Sequence, residues 1–354
     1  MKIAVYAICK NESKFIRRWV ESMREADEIV VLDTGSTDDS VAILRECEVN
    51  VHSYTVDPWR FDYARNASLS FVSHDVDVCV CTDIDEVFER GWREKIERAW
   101  QEGTKQAKYV YVWSHDGDKA GVTFYGEKIH AREGFKWVNA VHEVLSYLGN
   151  DYQSVTIDDL VLHHYPDEQK SRASYLPLLE LAVREDPTND RNVHYLGREY
   201  MFRGQPDKAI VTLLRHLSLP NALWNEERCA SMRYIARCYL MTGDEPSAEI
   251  WFHRAIAECP TSREPFVEYA RYLFSIKNWH GVIFILTKAL NIEKRNFTYI
   301  SDPACWGALP YDLLSLAYFF VGQTDKAVSA VDKAIELSDE PRLKENRKFF
   351  VAKI

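Results

Sequence analysis

Three kinds of segment are missing from this sequence of 354 residues: a low-complexity tract, the apolar stretch of a signal peptide, and an apolar run long enough to cross a membrane. A membrane-spanning helix needs about 20 consecutive apolar residues. The composition, 46% hydrophobic and 28% charged, is that of a globular chain. The sequence therefore predicts two ordinary domains, and we expect the protein to be cytoplasmic. Lipid-linked substrates met at a membrane surface stay compatible with these absences.

Cysteine spacing of the kind that marks a zinc site or a disulfide framework is also lacking. The eight cysteines are scattered along the chain, and Cys79 and Cys81 lie on a predicted buried strand. This usage is typical of a reducing compartment, so we expect free thiols.

The sequence also has no excess of positive charge, since its net charge is −10. Proteins that bind nucleic acid present a basic stripe that releases counterions from the phosphates. Nucleic acid is therefore a disfavoured partner, although a local basic patch such as Arg17 and Arg18 leaves it open.

The most informative segment that is present is an apolar strand, Val78 to Cys81, that runs directly into Asp83 and Asp85. Side chains two positions apart on an extended chain point the same way, so the two carboxylates are able to converge on one ligand. Ligands of open α/β sheets gather beyond the carboxyl ends of the strands, and Mg²⁺ and Mn²⁺ prefer oxygen ligands. The segment predicts a divalent metal site, with a solvated strand end or a helix cap as the alternative.

Other strands of the N-terminal part also end in polar loops. Predicted strands cover residues 2–9, 28–32 and 49–55, and an amphipathic helix begins near Phe15. Alternation of strands and helices at this spacing predicts βαβ units and a mainly parallel sheet. The segment after the second strand, from Asp33 to Ser40, is also typical of a turn followed by a helix cap.

Four segments, in this order and at this spacing, together resemble the family 2 glycosyltransferases of the GT-A fold. They are CKNES at 9–13, EIVVLDTGSTDDS at 28–40, FDYARNASL at 61–69 and CTDIDEVF at 81–88. Several linked motifs are far more specific than any one of them. The resemblance implies an α/β GT-A domain, Rossmann-like in its nucleotide-binding half, that moves a sugar from a nucleotide-diphosphate donor, UDP-sugar first among them, with inversion at the anomeric carbon.

The resemblance also implies roles for single residues. Asp33 and the strand-end residues Lys10 and Glu12 would lie by the base or ribose of the donor, and Arg65 by the base or diphosphate. Asp83 would face the ribose or the metal, and Asp85 would bind a Mn²⁺ or Mg²⁺ ion that bridges the two phosphates. A cation and an arginine suit this place because they stabilise the charge that develops on the leaving diphosphate.

A base and a further metal ligand are expected between residues 109 and 165. An inverting transferase needs a base to accept the proton of the acceptor hydroxyl or thiol, and Glu143 is the predicted base, with Asp116 and Asp118 as competitors. Imidazole suits Mn²⁺ as an additional ligand, which makes His163 or His164 a candidate. A structural polar pair is the alternative for Glu143, and hydrogen bonding to the backbone is the alternative for both histidines.

From about residue 171 the sequence is predicted to be helical and repeats itself. The offsets of small residues, a turn glycine and an exit proline match the tetratricopeptide repeat (TPR): Leu196, Gly197, Tyr200, Gly204 and Ala209 recur as Ile235, Ala236, Tyr239, Gly243 and Ala248. In a third copy Lys277 occupies the place of the turn glycine, and Arg295 to Pro310 is predicted to be an inserted loop or helix. Repeat arrays build concave surfaces that bind peptides or other protomers. We therefore expect a protein or peptide acceptor first, a saccharide or lipid-linked acceptor second and modified DNA third, and a homodimer stays open.

The sequence thus predicts a GT-A domain over 1–170 followed by an all-α, TPR-like domain over 171–354. Two functions of other classes compete with glycosyl transfer. One is a non-catalytic TPR scaffold with a pseudo-transferase domain, and the other is a nucleotidyltransferase. The second class has a glycine-rich loop after its first strand, whereas Cys9 to Glu12 contains no glycine.

Overall fold

The computed structural model of the chain describes residues 1–117, 119–167 and 173–353. These residues form two compact units, Met1–Glu185 and Asp186–Ile354. The predicted boundary between residues 170 and 171 lies outside the described residues. No helix in the described ranges is both long and apolar enough to span a bilayer.

The first unit contains the strands and five helices of the described chain. The strands are β1 (Ile3–Cys9), β2 (Glu28–Asp33), β3 (Asn50–Ser53), β4 (Val78–Cys81), β5 (Glu86–Phe88), β6 (Thr104–Val112), β7 (His115–Asp116), β8 (Lys119–Ala120), β9 (Thr123–Ala131), β10 (Phe135–Val138), β11 (Val144–Tyr147) and β12 (Gln153–His164). The helices are α1 (Ile16–Met23), α2 (Ser40–Glu46), α3 (Phe61–Ser70), α4 (Trp92–Ala99) and α5 (Tyr175–Glu185).

Eight of these strands form one mixed sheet in the order β3-β2-β1-β4-β9-β6-β12-β5. The four strands from β3 to β4 are mutually parallel, as the βαβ pattern predicts. From β9 onward the sheet is mixed, because β9 runs antiparallel to both β4 and β6 while β12 is parallel to β6. The mainly parallel sheet that we predict therefore describes only half of the observed sheet.

Both faces of the sheet are covered, since alternate residues of β1 belong to different cores. Val5 and Ala7 pack with helix α1 and its buried Trp19, while Tyr6 packs on the other face with Trp137. Apolar runs without polar alternation are typical of strands buried on both faces. The loops that follow these strands are rich in polar residues, unlike the strands themselves.

The second unit is helical throughout its regular elements. Its helices are α6 (Asp190–Phe202), α7 (Pro206–Ser218), α8 (Asn225–Thr242), α9 (Glu245–Glu258), α10 (Glu264–Ser275), α11 (Trp279–Leu290), α12 (Leu309–Phe320), α13 (Thr324–Leu337) and α14 (Pro341–Val351). Consecutive helices pack against each other, starting with α6 on α7 and α8 on α9. The segment between α11 and α12, which we predict as an insertion, contains one short 3₁₀ helix, Pro303–Trp306.

The turns inside the helix pairs share one backbone geometry. Gly204, Gly243 and Gly322 have φ values of 67°, 81° and 76°, and Lys277 occupies the equivalent place with φ 59°. In the turn after α10 the next amide, that of Asn278, donates to the Leu273 carbonyl at 2.8 Å, and the other three turns contain the same bond. This left-handed helix end favours glycine. The structure therefore confirms the TPR-like pairing, including the third copy that lacks the glycine.

Replacement of Lys277 by glycine is expected to raise the free energy of unfolding by about 0.5–1 kcal/mol. A residue with a Cβ atom loses about 1–2 kcal/mol in the left-handed conformation, and the larger chain entropy of glycine offsets about half of that gain. Urea unfolding followed by the helical circular dichroism signal measures the change. Gly243→Ala is the matched inverse, because only φ opposes its Cβ atom, and it should lower stability. Equal stabilities of Lys277→Gly and wild type would show that the left-handed backbone conformation of Lys277 is not strained.

Candidate active site

The site is built at the edge where the parallel strands end. Register brings Cys9 of β1 beside Asp33 of β2, and Tyr6 of β1 beside Cys81 of β4. Since β1 lies between β2 and β4, the loops that follow these three strands meet at the same edge of the sheet. Those loops and strand ends carry five of the predicted donor-binding and metal-binding residues, so the topology supports one common site: Lys10, Glu12, Asp33, Asp83 and Asp85. Arg65 lies on α3, and both histidine candidates lie on β12.

The loops after β1 and β2 are joined by hydrogen bonds. The Asn11 amide donates to Ser36 Oγ at 2.9 Å, and the Glu12 amide donates to Ser40 Oγ at 2.8 Å. The Glu12 side chain is buried in this junction, whereas Lys10 is exposed. Of the two strand-end residues predicted to lie by the nucleoside, only Lys10 is free to reorient in solvent.

Asp33 closes the turn after β2 while remaining nearly buried. Its carboxylate accepts from the amide of Gly35 at 3.1 Å and from that of Ser36 at 3.2 Å. Gly35 has φ 105°, a conformation that favours glycine, so the turn depends on it. A carboxylate has about four acceptor positions, and these two bonds leave capacity for a hydroxyl or imide donor. Asp33 therefore closes a turn and does not cap α2, which begins at Ser40 with Asp39 at its N-cap, and the donor-binding role stays a prediction.

Arg65 on α3 is the centre of a buried charge cluster. Its Nε donates to Glu143 Oε1 at 2.5 Å, its Nη2 donates to Asp83 Oδ1 at 2.8 Å, and its Nη1 lies 3.2 Å from Cys81 Sγ. Only 3% of Arg65 is exposed. Three residues predicted separately, Arg65, Asp83 and Glu143, are thus brought together, with the arginine between the two carboxylates.

Lys128 of β9 holds the second oxygen of Asp83. Its Nζ lies 2.9 Å from Asp83 Oδ2 and 3.3 Å from Glu86 Oε1, and Glu86 also accepts from the hydroxyl of Tyr111 at 2.8 Å. Burial would raise the pKa of Asp83, but the charges of Arg65 and Lys128 outweigh it and hold the pKa well below its usual value. Asp83 is thereby fixed as an anion between two cations.

Asp85 faces a histidine instead of a cation. Its Oδ2 lies 3.4 Å from His164 Nε2, and the opposite ring nitrogen, Nδ1, donates to the Trp113 carbonyl at 3.0 Å. In a neutral imidazole this bond leaves Nε2 as the nitrogen with a lone pair. Burial would lower the pKa of His164, but the Asp85 carboxylate and the Trp113 carbonyl outweigh it and raise the pKa. Two electron-pair donors that face each other, with a carbonyl orienting the ring, form a donor set that fits a divalent ion.

The two neighbouring histidines of β12 have different surroundings. His163 Nδ1 lies 3.1 Å from His115 Nε2, and its Nε2 lies 3.2 Å from Glu89 Oε1. Successive side chains of a strand point to opposite faces, which separates His163 from the Asp85 carboxylate. Of the two metal-ligand candidates, His164 is the one that the structure places beside Asp85.

The base candidates differ in what the structure describes. Glu143 follows His142, which has φ 51°, and its side chain is 10% exposed next to Arg65. Asp116 lies on the short strand β7, and Asp118 lies outside the described residues. The reach of each carboxylate to an acceptor stays a prediction.

Sequence reasoning missed three members of the charge cluster: Glu86, Tyr111 and Lys128. Glu86 follows Asp85 directly, so its place beside the predicted metal site was an available signal. Lys128 gives no such signal, because a lysine within a strand is ordinarily solvated. Its partner Asp83 is 45 positions away in the chain.

Comparison with known proteins covers most of this site, although His163 and His164 lie beyond the segment that the family model matches. The family model described as Glycosyl transferase family 2 matches residues 4–155. Over 277 residues the chain is 22% identical to the SPbeta prophage-derived glycosyltransferase SunS of Bacillus subtilis strain 168, a match to 75% of this chain and 64% of SunS. Over 97 residues it is 27% identical to the lipopolysaccharide core biosynthesis glycosyltransferase LpsC of Rhizobium meliloti strain 1021, a match to 27% of this chain and 35% of LpsC. The chain spans less than two thirds of the length of these relatives.

Solved structures of helical-repeat proteins are also similar to the chain. One is the C-terminal part of a TPR repeat-containing protein from Cytophaga hutchinsonii, with 16% identity and a TM-score of 0.39, covering 47% of this chain and 59% of that one. Another is MamA from Desulfovibrio magneticus RS-1, with 19% identity and a TM-score of 0.37, covering 46% of this chain and 84% of that one. The repeat character of the second unit is evident from its own helix pairs and turns.

Proposed function

We propose that the protein transfers a sugar, with inversion, from a nucleotide-diphosphate donor to an acceptor, and that UDP-sugar is the donor. The match of residues 4–155 to the Glycosyl transferase family 2 model supports this proposal. The observation that carries the proposal is the pairing of Asp85 with His164 at the carboxyl edge of the sheet. These residues would hold a Mn²⁺ or Mg²⁺ ion, which when bound neutralises charge on the leaving diphosphate.

The charge cluster gives the other predicted residues distinct tasks. Asp83 is held by Arg65 and Lys128. Its carboxylate would therefore accept a hydrogen bond from a hydroxyl of the donor ribose without a change in its own orientation. Arg65 would act as a positioning residue, because its guanidinium already bonds two carboxylates inside the protein. Asp33, Glu12 and Lys10 surround the same edge and would contact the nucleoside.

Glu143 is the proposed base that accepts the acceptor proton. Its Oε1 is anchored by Arg65, which fixes the orientation of the carboxylate and leaves Oε2 for the acceptor. Such anchoring suits proton transfer, because a base must lie within hydrogen-bond reach of the proton that it accepts.

Replacement of Glu143 by glutamine is expected to lower the transfer rate about 100-fold and to leave donor binding unchanged. Glutamine keeps the size of the side chain and removes the basic oxygen. The transfer rate at saturating donor and the donor dissociation constant from calorimetry measure the two effects. Glu133→Gln, at an exposed glutamate, is the matched control. An unchanged rate in Glu143→Gln would remove the assignment and direct attention to Asp116 and Asp118.

We propose a protein or peptide as the acceptor, bound by the TPR-like unit. Packed helix pairs of this kind build surfaces suited to extended peptides. A saccharide, a lipid-linked sugar and modified DNA are the competing acceptors, and an acceptor screen with the identified donor separates them. A homodimer and a cytoplasmic location stay predictions, the second supported by eight free thiols.

The test of the proposed function is calorimetry with a panel of nucleoside diphosphates in Mn²⁺, in Mg²⁺ and in EDTA. Metal-dependent binding of one nucleotide is the expected result, and the sugars of that nucleotide are then screened for transfer. Absence of binding by every nucleotide would overturn the proposal and favour a TPR scaffold with an inactive transferase domain. Metal-independent binding would retain the donor and remove the metal from the proposal.

A further inference from the structure

A second cluster of metal-ligating side chains lies in the helical unit, inside the packing of three helices. His194 of α6, His216 of α7 and Glu227 of α8 each offer one ligand atom, and these atoms lie within 4.8 Å of one another. Both histidines are fully buried and Glu227 is 4% exposed. Buried ionisable groups of this kind need partners, because burial without them is strongly unfavourable.

Hydrogen bonds connect the members of the cluster in series, and the Glu227 carboxylate, which can only accept, determines which atom donates in each bond. Tyr299 donates its hydroxyl to Glu227, whose Oε1 lies 3.2 Å from His216 Nε2. The Ser231 hydroxyl lies between the Nδ1 atoms of His216 and His194, at 2.9 and 2.8 Å. Because the Glu227 carboxylate only accepts, His216 Nε2 donates to it. In a neutral ring His216 Nδ1 is then an acceptor, so the Ser231 hydroxyl donates to it. The Ser231 oxygen in turn accepts from His194 Nδ1.

The last atom of this hydrogen-bonded series is His194 Nε2. In this arrangement His194 Nε2 carries a lone pair, and it is buried without a hydrogen-bond partner. Buried polar atoms are almost always partnered, and a metal ion is a partner to which this lone pair is able to donate.

The donor set and its spacing suit zinc. Two neutral imidazoles and one carboxylate are a known combination for Zn²⁺, whereas Mg²⁺ and Ca²⁺ prefer oxygen ligands. Two ligands of a tetrahedral zinc ion, each about 2.0–2.1 Å from the metal, lie about 3.3 Å apart. The 3.2 Å between His216 Nε2 and Glu227 Oε1 agrees with this separation, whereas the three ligand atoms together span up to 4.8 Å, so His194 would move toward the ion on binding.

We propose that His194, His216 and Glu227 bind a Zn²⁺ ion that joins helices α6, α7 and α8. His194 coordinates through the unpartnered Nε2, or through Nδ1 once its proton has passed to Nε2 and the Ser231 hydroxyl has turned away. His216 coordinates through Nε2, and the proton of that nitrogen moves to Nδ1 on binding. Burial of the ligands in helix packing suits a stabilising role, and the fourth position that three protein ligands leave would hold a water molecule. The ion is separate from the metal that Asp85 and His164 would hold, because all three ligands belong to the other compact unit.

Zinc titration of untagged protein in an Asp85→Ala background tests the proposal, since that substitution removes the ligand pair of the first unit. After removal of metal with EDTA, calorimetry is expected to show one Zn²⁺ bound per chain. Adding His194→Gln should weaken this binding by about 100-fold or more. His280→Gln, at an exposed histidine of α11, is the matched control and should leave it unchanged.

Cobalt gives an independent readout in the Asp85→Ala protein that does not require replacement of a proposed ligand in the helical unit. Co²⁺ bound in a tetrahedral site absorbs strongly in the visible range, and Zn²⁺ should displace it with loss of this absorption. Absence of a zinc site in the Asp85→Ala protein would overturn the proposal, as would binding that survives His194→Gln. If circular dichroism shows that His194→Gln does not fold, Glu227→Gln replaces it, and the cobalt spectrum of the Asp85→Ala protein decides.

Discussion

Replacement of Asp85 by alanine is expected to lower the transfer rate about 10²–10³-fold. The carboxylate faces His164 Nε2 at 3.4 Å, and its loss removes one of two ligands that would hold the ion at the leaving diphosphate. Stability should change by less than about 1 kcal/mol, because the pair with His164 is partly exposed. Release of nucleoside diphosphate from the identified donor, measured over a range of Mn²⁺ concentrations, gives the rate.

Asp159→Ala is the matched control for this experiment. Asp159 is an exposed aspartate that pairs with Arg98 at 2.8 Å, so its replacement tests whether loss of any acidic side chain affects transfer. The Asp159→Ala protein should retain wild-type rates. An Asp85→Ala protein with the same rate and the same Mn²⁺ dependence as wild type would contradict the metal role of Asp85, whatever nucleotide binds.

Replacement of Arg65 by methionine is expected to lower the free energy of unfolding by about 3–5 kcal/mol. Methionine fills much of the space but leaves Glu143, whose side chain is 10% exposed, beside an apolar group. Asp83 keeps its contact with Lys128. An uncompensated buried charge is far more unfavourable than the loss of a surface pair. Urea unfolding followed by tryptophan fluorescence measures the change.

A surface ion pair provides the comparison for Arg65. Arg17 bonds Glu46 at 2.6 Å, with both side chains more than half exposed, so Arg17→Met should change stability by only about 0–1 kcal/mol. Similar effects of the two substitutions would show that the Arg65 cluster is solvated and does not organise the site. Partial rescue of Arg65→Met by Glu143→Gln would confirm that the uncompensated charge causes the loss.

The edge of the sheet was predictable because strand ends are local sequence features. Apolar runs followed by Asp33 and Asp83 predict where the strands end, and parallel pairing then brings those ends together. The partners of Arg65 were not predictable in this way, since Glu143 is 78 positions away in the chain. Arg65 was expected by the base or diphosphate, whereas the structure surrounds its guanidinium with protein carboxylates.

The histidine ligand shows a similar limit. His163 and His164 are neighbours in sequence, and nothing in their residue types separates them. Only the pairing of β12 with β5, which places His164 opposite Glu86, orients one ring toward Asp85. The cluster at His194 was not foreseen at all, because its members come from three helices and their spacing has no metal-binding pattern.

The position of β12 in the sheet has a consequence for folding. Asp85 and β5 follow β4 early in the chain, but the strand that carries His164 is the last strand of the first unit, and it inserts between β6 and β5. Contacts between distant parts of a chain form slowly, because the entropy of closing a long loop is lost before the contacts stabilise the structure. The ligand pair therefore assembles only when almost the whole unit has been synthesised and its final strand has inserted. A nascent chain that lacks β12 therefore contains every aspartate of the site but no complete metal site.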